Sequence, residues 1–241
     1  MYRLDAFKLE DMILCGADIR QIGLESRCVE EAAEKVVKHL YENLLDEEGK
    51  SALALVRLYK TMRFGELDSN LRTVARQSFG SEQGSFLTLM ATVGMMDSWN
   101  DRRKTERHQL IPSNDETQMM QHVPILAHLR LQLEMGSSWR PLDESLLKYV
   151  MEPEQKRFNV FFVPNINDYS SPEREALIES CGVRSMLAYG AMLSPGSFFG
   201  VVLYSRIGLP KDSAEMFSPL ALSTKNAIIY STNFRPFAAN A

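Results

Sequence analysis

Residues 29–45, VEEAAEKVVKHLYENLL, set Val29, Ala32, Ala33, Val36, Val37, Leu40, Tyr41 and Leu44 at helical spacing among charged positions. That period predicts an amphipathic helix. A thinner stripe of Ala6, Leu9, Met12, Ile13 and Gly16 predicts an earlier helix over 4–17, so residues 4–45 form a helical N-terminal section. DEEGK at 46–50 breaks the pattern, and SALALVRLYK follows as an apolar run of strand length whose Ala-Leu content keeps helix in competition. GSFLTLMATVG at 84–94 reads as a strand bounded by glycines, with a short helix over 69–77 before it. These two strands are expected to be antiparallel neighbours joined by an elaborated loop.

Ser113 and Glu116 have capping-box spacing ahead of a helix predicted over 115–135, which Pro124 kinks or restarts. The turn-rich GSSWRPLDES then leads to FNVFFVP, a strand ended by proline, and to a short helix over 171–182 stopped by Gly182. VRSMLAYGAML and FFGVVLYSRI flank SPGS, which predicts a hairpin closing across Ser194 to Ser197. Asp212 and Glu215 repeat the capping spacing before a last helix whose Met216, Phe217, Leu220, Ala227 and Ile228 pack on the sheet, with a bend at Pro219. The tail 230–241 reads as irregular.

The order implies an α+β fold with an antiparallel sheet over 52–59, 85–93, 158–163, 185–193 and 198–207, flanked by helices. No linker separates two self-sufficient cores, so one domain over 1–241 is expected, with sheet and helices in 51–229.

Composition narrows the function. A formal net charge of −4 and a pI near 5.7 disfavour binding to nucleic acid, which needs clustered cations. No run reaches the roughly 18 apolar residues of a membrane span, and the acid-bearing N-terminus lacks a signal-peptide core, which leads to an expected cytoplasmic location without membrane contact. Cys15, Cys28 and Cys181 form no CxxC, and His39, His108, His122 and His128 have no ligand spacing, so no metal site and no disulfide framework are expected. The methionines Met90, Met95, Met96, Met119, Met120 and Met192 read as core filling before they read as an adaptable pocket.

One stretch departs from the acidic average. WNDRRKTERHQLIPS, 99–113, carries Arg102, Arg103, Lys104 and Arg107 against Asp101 and Glu106. Guanidinium groups bind carboxylate or phosphate through paired, charge-assisted hydrogen bonds. The candidate ligand-binding residues are therefore Trp99 as a ring face, Asn100 and Gln109 as orienting amides, and Arg102, Arg103 and His108 as anion contacts. The competing reading is a solvated loop in which Trp99 plugs the core edge. No catalytic signature stands out, and an enzyme built on His108 or Cys181 is the less economical reading.

Residues 184–228, RSMLAYGAMLSPGSFFGVVLYSRIGLPKDSAEMFSPLALSTKNAI, resemble the GAF family of sensory input modules in the succession strand, turn, Gly-containing strand and acid-flanked final helix. WNDRR, HQLIP and FNVFFVP resemble segments of GAF-like regions at the N-terminus of bacterial sensor histidine kinases and diguanylate cyclases. The resemblance covers roughly 28–230 and implies a GAF/PAS-like sheet and a non-enzymatic signal-sensing domain of bacterial signal transduction. Such a domain would bind a small ligand, with an anionic group as the candidate chemistry, between one sheet face and residues 95–135, form a homodimer, and act on a downstream signalling protein. A ligand-free interaction module dimerising through 4–45 and 212–229 is the alternative. No phosphoacceptor box, GGDEF motif, NKFDE-type motif or bilin-attachment context is present, so the chain reads as an input module standing alone or a fragment, and its cofactor is unknown.

Overall fold

The computed structural model describes residues 1–105, 109–135, 159–169, 174–194, 196–232 and 236–238. Strand β1 (Tyr2–Arg3) pairs in parallel with β2 (Leu44–Leu45), and helices α1 (Leu9–Leu24) and α2 (Val29–Asn43) lie between them. The main sheet contains β3 (Leu53–Arg63), β4 (Ser85–Gly94), β5 (Leu110–Pro112), β6 (Val160–Val163), β7 (Ser185–Ser194) and β8 (Ser197–Ser205). Its order is β5-β4-β3-β8-β7-β6, with every pair antiparallel. Helices α3 (Ser69–Phe79), α4 (Glu116–His122), α5 (Pro124–Met135), α6 (Arg174–Cys181), α7 (Lys211–Glu215) and α8 (Leu220–Thr232) are the other α-helices among the described residues. The expected α+β class and antiparallel sheet are present, and Ser194 faces Ser197 across the hairpin as anticipated.

β3 sits mid-sheet with Val56 and Leu58 in the core on one face and Leu55 and Tyr59 in the core on the other. A strand covered on both sides needs no polar alternation, which is why LALVRLY lacks a period of two. The first face carries α1, α2 and α8, and the second carries α5. α2 begins where the Cys28 side chain accepts the Glu31 N–H, and α3 where Asp68 accepts the Leu71 N–H at 2.8 Å, ending at Gly80 in the left-handed region with φ +59°.

Several expectations need correction. The first helix covers 9–24, and it buries Cys15, Gly16, Ile19 and Gly23 while Leu9 and Ile13 remain exposed. Its inner side is chosen by close approach: a Cβ on Gly23 would lie 2.3 Å from the Ala227 Cα of α8. Small residues let these helix backbones meet, and an apolar stripe count cannot register that. The Val29, Val36, Leu40 and Leu44 stripe is buried against the sheet within this one chain, so it is not left over for a second copy. α4 is capped by Asp115, whose carboxylate accepts the Gln118 N–H at 3.0 Å; Ser113 instead donates to the Ser85 carbonyl. β5 was expected as part of a loop, since three residues ending in proline carry no strand period, but it pairs with Phe86–Thr88 as an edge strand, where proline is tolerated. Pro219 separates α7 from α8, and α8 runs three residues into the tail expected to be irregular. The link at 136–145, residue 158 of the third expected strand and the start of the 171–182 helix lie outside the described residues.

The second face is tightly filled. A Cβ on Gly200 of β8 would lie 2.4 Å from Leu126 Cδ2, so α5 rests directly on the sheet. Leu126, Leu129, Phe161 and Tyr59 pack the space where a ligand was expected between the sheet and residues 95–135.

Candidate functional site

The basic stretch folds as two short 3-10 turns, Asp97–Asn100 and Arg102–Lys104, directly after β4. Asp101 starts the second turn by accepting the Arg103 N–H at 2.9 Å. This compact turn swings consecutive side chains to different sides, and of the five described residues singled out in the sequence Asn100, Arg102 and Arg103 border one cleft while Trp99 and Gln109 do not. Trp99 is half-buried and packs against the second-face core. Asn100 accepts the Gly94 N–H at 3.0 Å and donates to the Met96 carbonyl, so it holds the turn onto β4. Gln109 donates to the Arg103 and Thr105 carbonyls, closing the loop on itself. His108 lies outside the described residues.

Arg102 turns inward. Its Nε donates to Glu30 Oε1 at 2.6 Å and its Nη2 to Asp68 Oδ2 at 2.8 Å, and its side chain is 5 % exposed. The guanidinium also lies over the Phe237 ring, 4.9 Å from its centroid. Burial works against its charge, but the hydrogen bond with Asp68 and the Glu30 charge outweigh burial and raise its pKa. One side chain thus joins the first turn of α2, the cap of α3, the loop and the C-terminal tail. Glu30, Asp68 and Phe237 went unnoticed in the sequence because their role depends on a partner up to 72 residues away for the acids, and no local period marks it.

Beside this ion triad runs a cleft of about 960 Å³ between α2, the end of β4 and the loop. Glu30, Glu34, Lys38 and Tyr41 form one wall, Ala91 to Gly94 the floor, and Asn100, Arg102, Arg103 and Lys104 the other wall, with Ala238 at its border. Arg103 is 57 % exposed and reaches Glu30 at 4.0 Å. Lys104 has no ion-pair partner among the described residues. The pKa of Glu34 is raised by partial desolvation in the cleft and by the Glu30 carboxylate one turn away. With five carboxylates and four cations in its lining, the cleft has no net positive field; any anion must be held by local contacts.

Two other polar clusters are buried. His128 Nδ1 lies 3.1 Å from the Tyr169 hydroxyl and its ring stacks on Phe161 at 4.9 Å, and burial lowers its pKa to about 4. Cys15 Sγ lies 3.8 Å from His39 Nε2, but burial pushes the Cys15 thiol up to about 12. Burial likewise raises the pKa of Cys181, which disfavours the thiolate that a nucleophile requires. Among the described residues, no group of three or more His, Cys, Asp or Glu is placed to hold a metal ion, and no helix is long and apolar enough to cross a membrane.

No protein-family model matches the sequence, and no curated protein matches it significantly. Solved structures do match. The GAF domain of a phosphoenolpyruvate-protein phosphotransferase from Coxiella burnetii is similar at 11 % identity and TM-score 0.49, over 93 % of this chain and 96 % of that one. The free methionine-R-sulfoxide reductase of Neisseria meningitidis, solved with its substrate, is similar at 11 % identity and TM-score 0.48, over 94 % and 96 %. The phycoerythrobilin-bound GAF domain of a cyanobacterial phytochrome is similar at 12 % identity and TM-score 0.44, over 92 % and 94 %.

Proposed function

We propose that this chain is a non-enzymatic regulatory domain of bacterial signal transduction, cytoplasmic, that senses a small molecule bearing an anionic group in the cleft beside α2. The carrying observation is a cleft of about 960 Å³ whose wall holds Arg103, 57 % exposed and 4.0 Å from Glu30, and Lys104, which has no ion-pair partner among the described residues. Ligand sites commonly fall between about 300 and 1,000 Å³. Arg103 and Asn100 are the residues of the basic stretch that face it, with Lys104 added; Arg102 serves as a fixed positive wall behind them. A bound ligand favours one arrangement of α2 and the loop, and a downstream signalling protein reads that arrangement.

Calorimetric titration with inorganic phosphate and with citrate tests this. The Arg103→Ala, Lys104→Ala double variant is expected to bind at least about ten-fold more weakly, since a hydrogen bond to a charged group contributes about 1.5–3 kcal/mol. Its stability should stay within about 0.5 kcal/mol of the parent, both side chains being on the surface. Absence of binding by the parent protein to either probe sinks the reading.

An interaction module is the second reading, favoured by a specific surface. α1 and α8 run side by side in the same direction, Gly16 beside Ser223 and Gly23 beside Ala227. Their outer faces expose Leu9, Ile13 and Leu24 on α1 and Leu222, Ile229 and Tyr230 on α8. Apolar side chains presented by two neighbouring helices fit a homodimer. Sedimentation velocity at about tens of micromolar is expected to show a dimer that Ile13→Glu with Leu222→Glu converts to monomer. A parent protein that is monomeric there removes this reading.

A further inference from the structure

Residues Pro236 to Ala238 return from the end of α8 to the wall of the cleft. The Glu30 N–H, an end-of-helix donor without an intrahelical acceptor, donates to the Pro236 carbonyl at 3.0 Å. The Ala238 N–H donates to Glu30 Oε2 at 3.0 Å, while Glu30 Oε1 accepts from Arg102 Nε. Phe237 is 9 % exposed, with the Arg102 guanidinium over its ring. Among the described residues, the hydrogen bonds of this segment are made with Glu30, while Phe237 packs into the first-face core under the Arg102 guanidinium, and both Glu30 and Arg102 line the cleft.

We propose that Pro236–Ala238 is a strap that competes with an anion in the cleft: an anion held by Arg103 beside Arg102 repels and displaces the Glu30 carboxylate, and the strap that Glu30 holds is released. The inference rests on the cleft reading above. The physical reason is that Glu30 uses its two oxygens for two tasks, one on Arg102 and one on the tail amide. Arg102 already carries the Glu30 and Asp68 carboxylates, so a further negative charge beside it repels both, and Glu30 is the one that also holds the tail. Coupling of this kind is reciprocal, so a chain unable to dock its strap must bind the anion more tightly by the factor with which the anion loosens the strap. The released segment begins four positions after the last residue of α8, which packs on α1, so strap release carries cleft occupancy to the helical layer where the dimer surface is exposed.

Amide hydrogen exchange of the full chain with and without saturating inorganic phosphate, at matched ionic strength in chloride, tests it. Exchange at the Ala238 and Glu30 amides is expected to speed up about ten-fold with phosphate, and Phe237→Ala to bind phosphate about ten-fold more tightly by calorimetry. Phosphate binding that Arg103→Ala abolishes, with unchanged exchange at both amides, overturns the strap and leaves the cleft reading intact. No binding to either the parent or Phe237→Ala overturns both. Should Phe237→Ala fail to fold, the exchange measurement on the parent alone decides, since it needs no variant.

Discussion

Replacement of Arg102 by Met is expected to lower the free energy of unfolding by about 3–5 kcal/mol, the cost of leaving a buried charge without its partner. The guanidinium is 5 % exposed, and so is the Glu30 side chain it holds at 2.6 Å. With the cation gone, Glu30 stays in a site that water hardly reaches, and Arg103, at 4.0 Å and largely in solvent, is too distant to replace it. Asp68 loses a partner at 2.8 Å, although it remains the cap of α3. A solvated loop arginine, in contrast, would cost less than about 0.5 kcal/mol. Chemical denaturation at neutral pH separates the two. Adding Glu30→Gln and Asp68→Asn to Arg102→Met is expected to restore much of the loss, because it removes the orphaned charges themselves. A single variant as stable as the parent would return Arg102 to the role of a free ligand contact.

Acid is expected to destabilise the protein through one buried histidine. Burial lowers the His128 pKa from 6.5 to about 4, against a smaller opposing hydrogen bond to the Pro124 backbone. The folded state therefore holds the neutral ring, while the unfolded chain takes up a proton once the pH falls below about 6.5. Stability from this residue is intact above that value, declines between about pH 6.5 and 4, and is level below, a total of about 3 kcal/mol by linkage. His39, whose pKa burial also lowers, acts in the same direction. The measurement is accordingly a difference: His128→Gln should lose less stability than the parent between pH 7 and pH 4, by about 3 kcal/mol. Parallel pH profiles for the two proteins would mean that His128 is charged in the fold.

The hairpin of β7 and β8 and the helix α2 were legible because each repeats a local pattern: β-branched and aromatic runs around a Pro-Gly turn, and a 3.6-residue apolar period. Strand β3 was ambiguous for a physical reason, since both of its faces are covered and nothing forces polar residues into alternate positions. Strand β5 was missed because three residues are too few to show a period. In α1 the stripe of Ala6, Leu9, Met12, Ile13 and Gly16 placed Gly16 correctly on the inner side but not Leu9 and Ile13, because the buried face runs through Cys15, Gly16, Ile19 and Gly23, where the two glycines let the backbone approach α8.

Within the loop 99–113, composition announced an unusual charge but could not say where the charge would go. Arg102 and Arg103 are neighbours of one chemical type, yet one is locked between Glu30 and Asp68 and the other stands in the cleft. The sequence by itself determined the class of the fold and the order of its longer strands and helices, since those follow from hydrogen bonding and burial over a few residues. The tertiary structure alone decided which arginine is spent, that α5 fills the sheet face where a ligand was expected, and that the cleft opens beside α2. Those outcomes depend on partners 34 and 72 residues apart in the chain, and no short-range pattern encodes a contact at that separation.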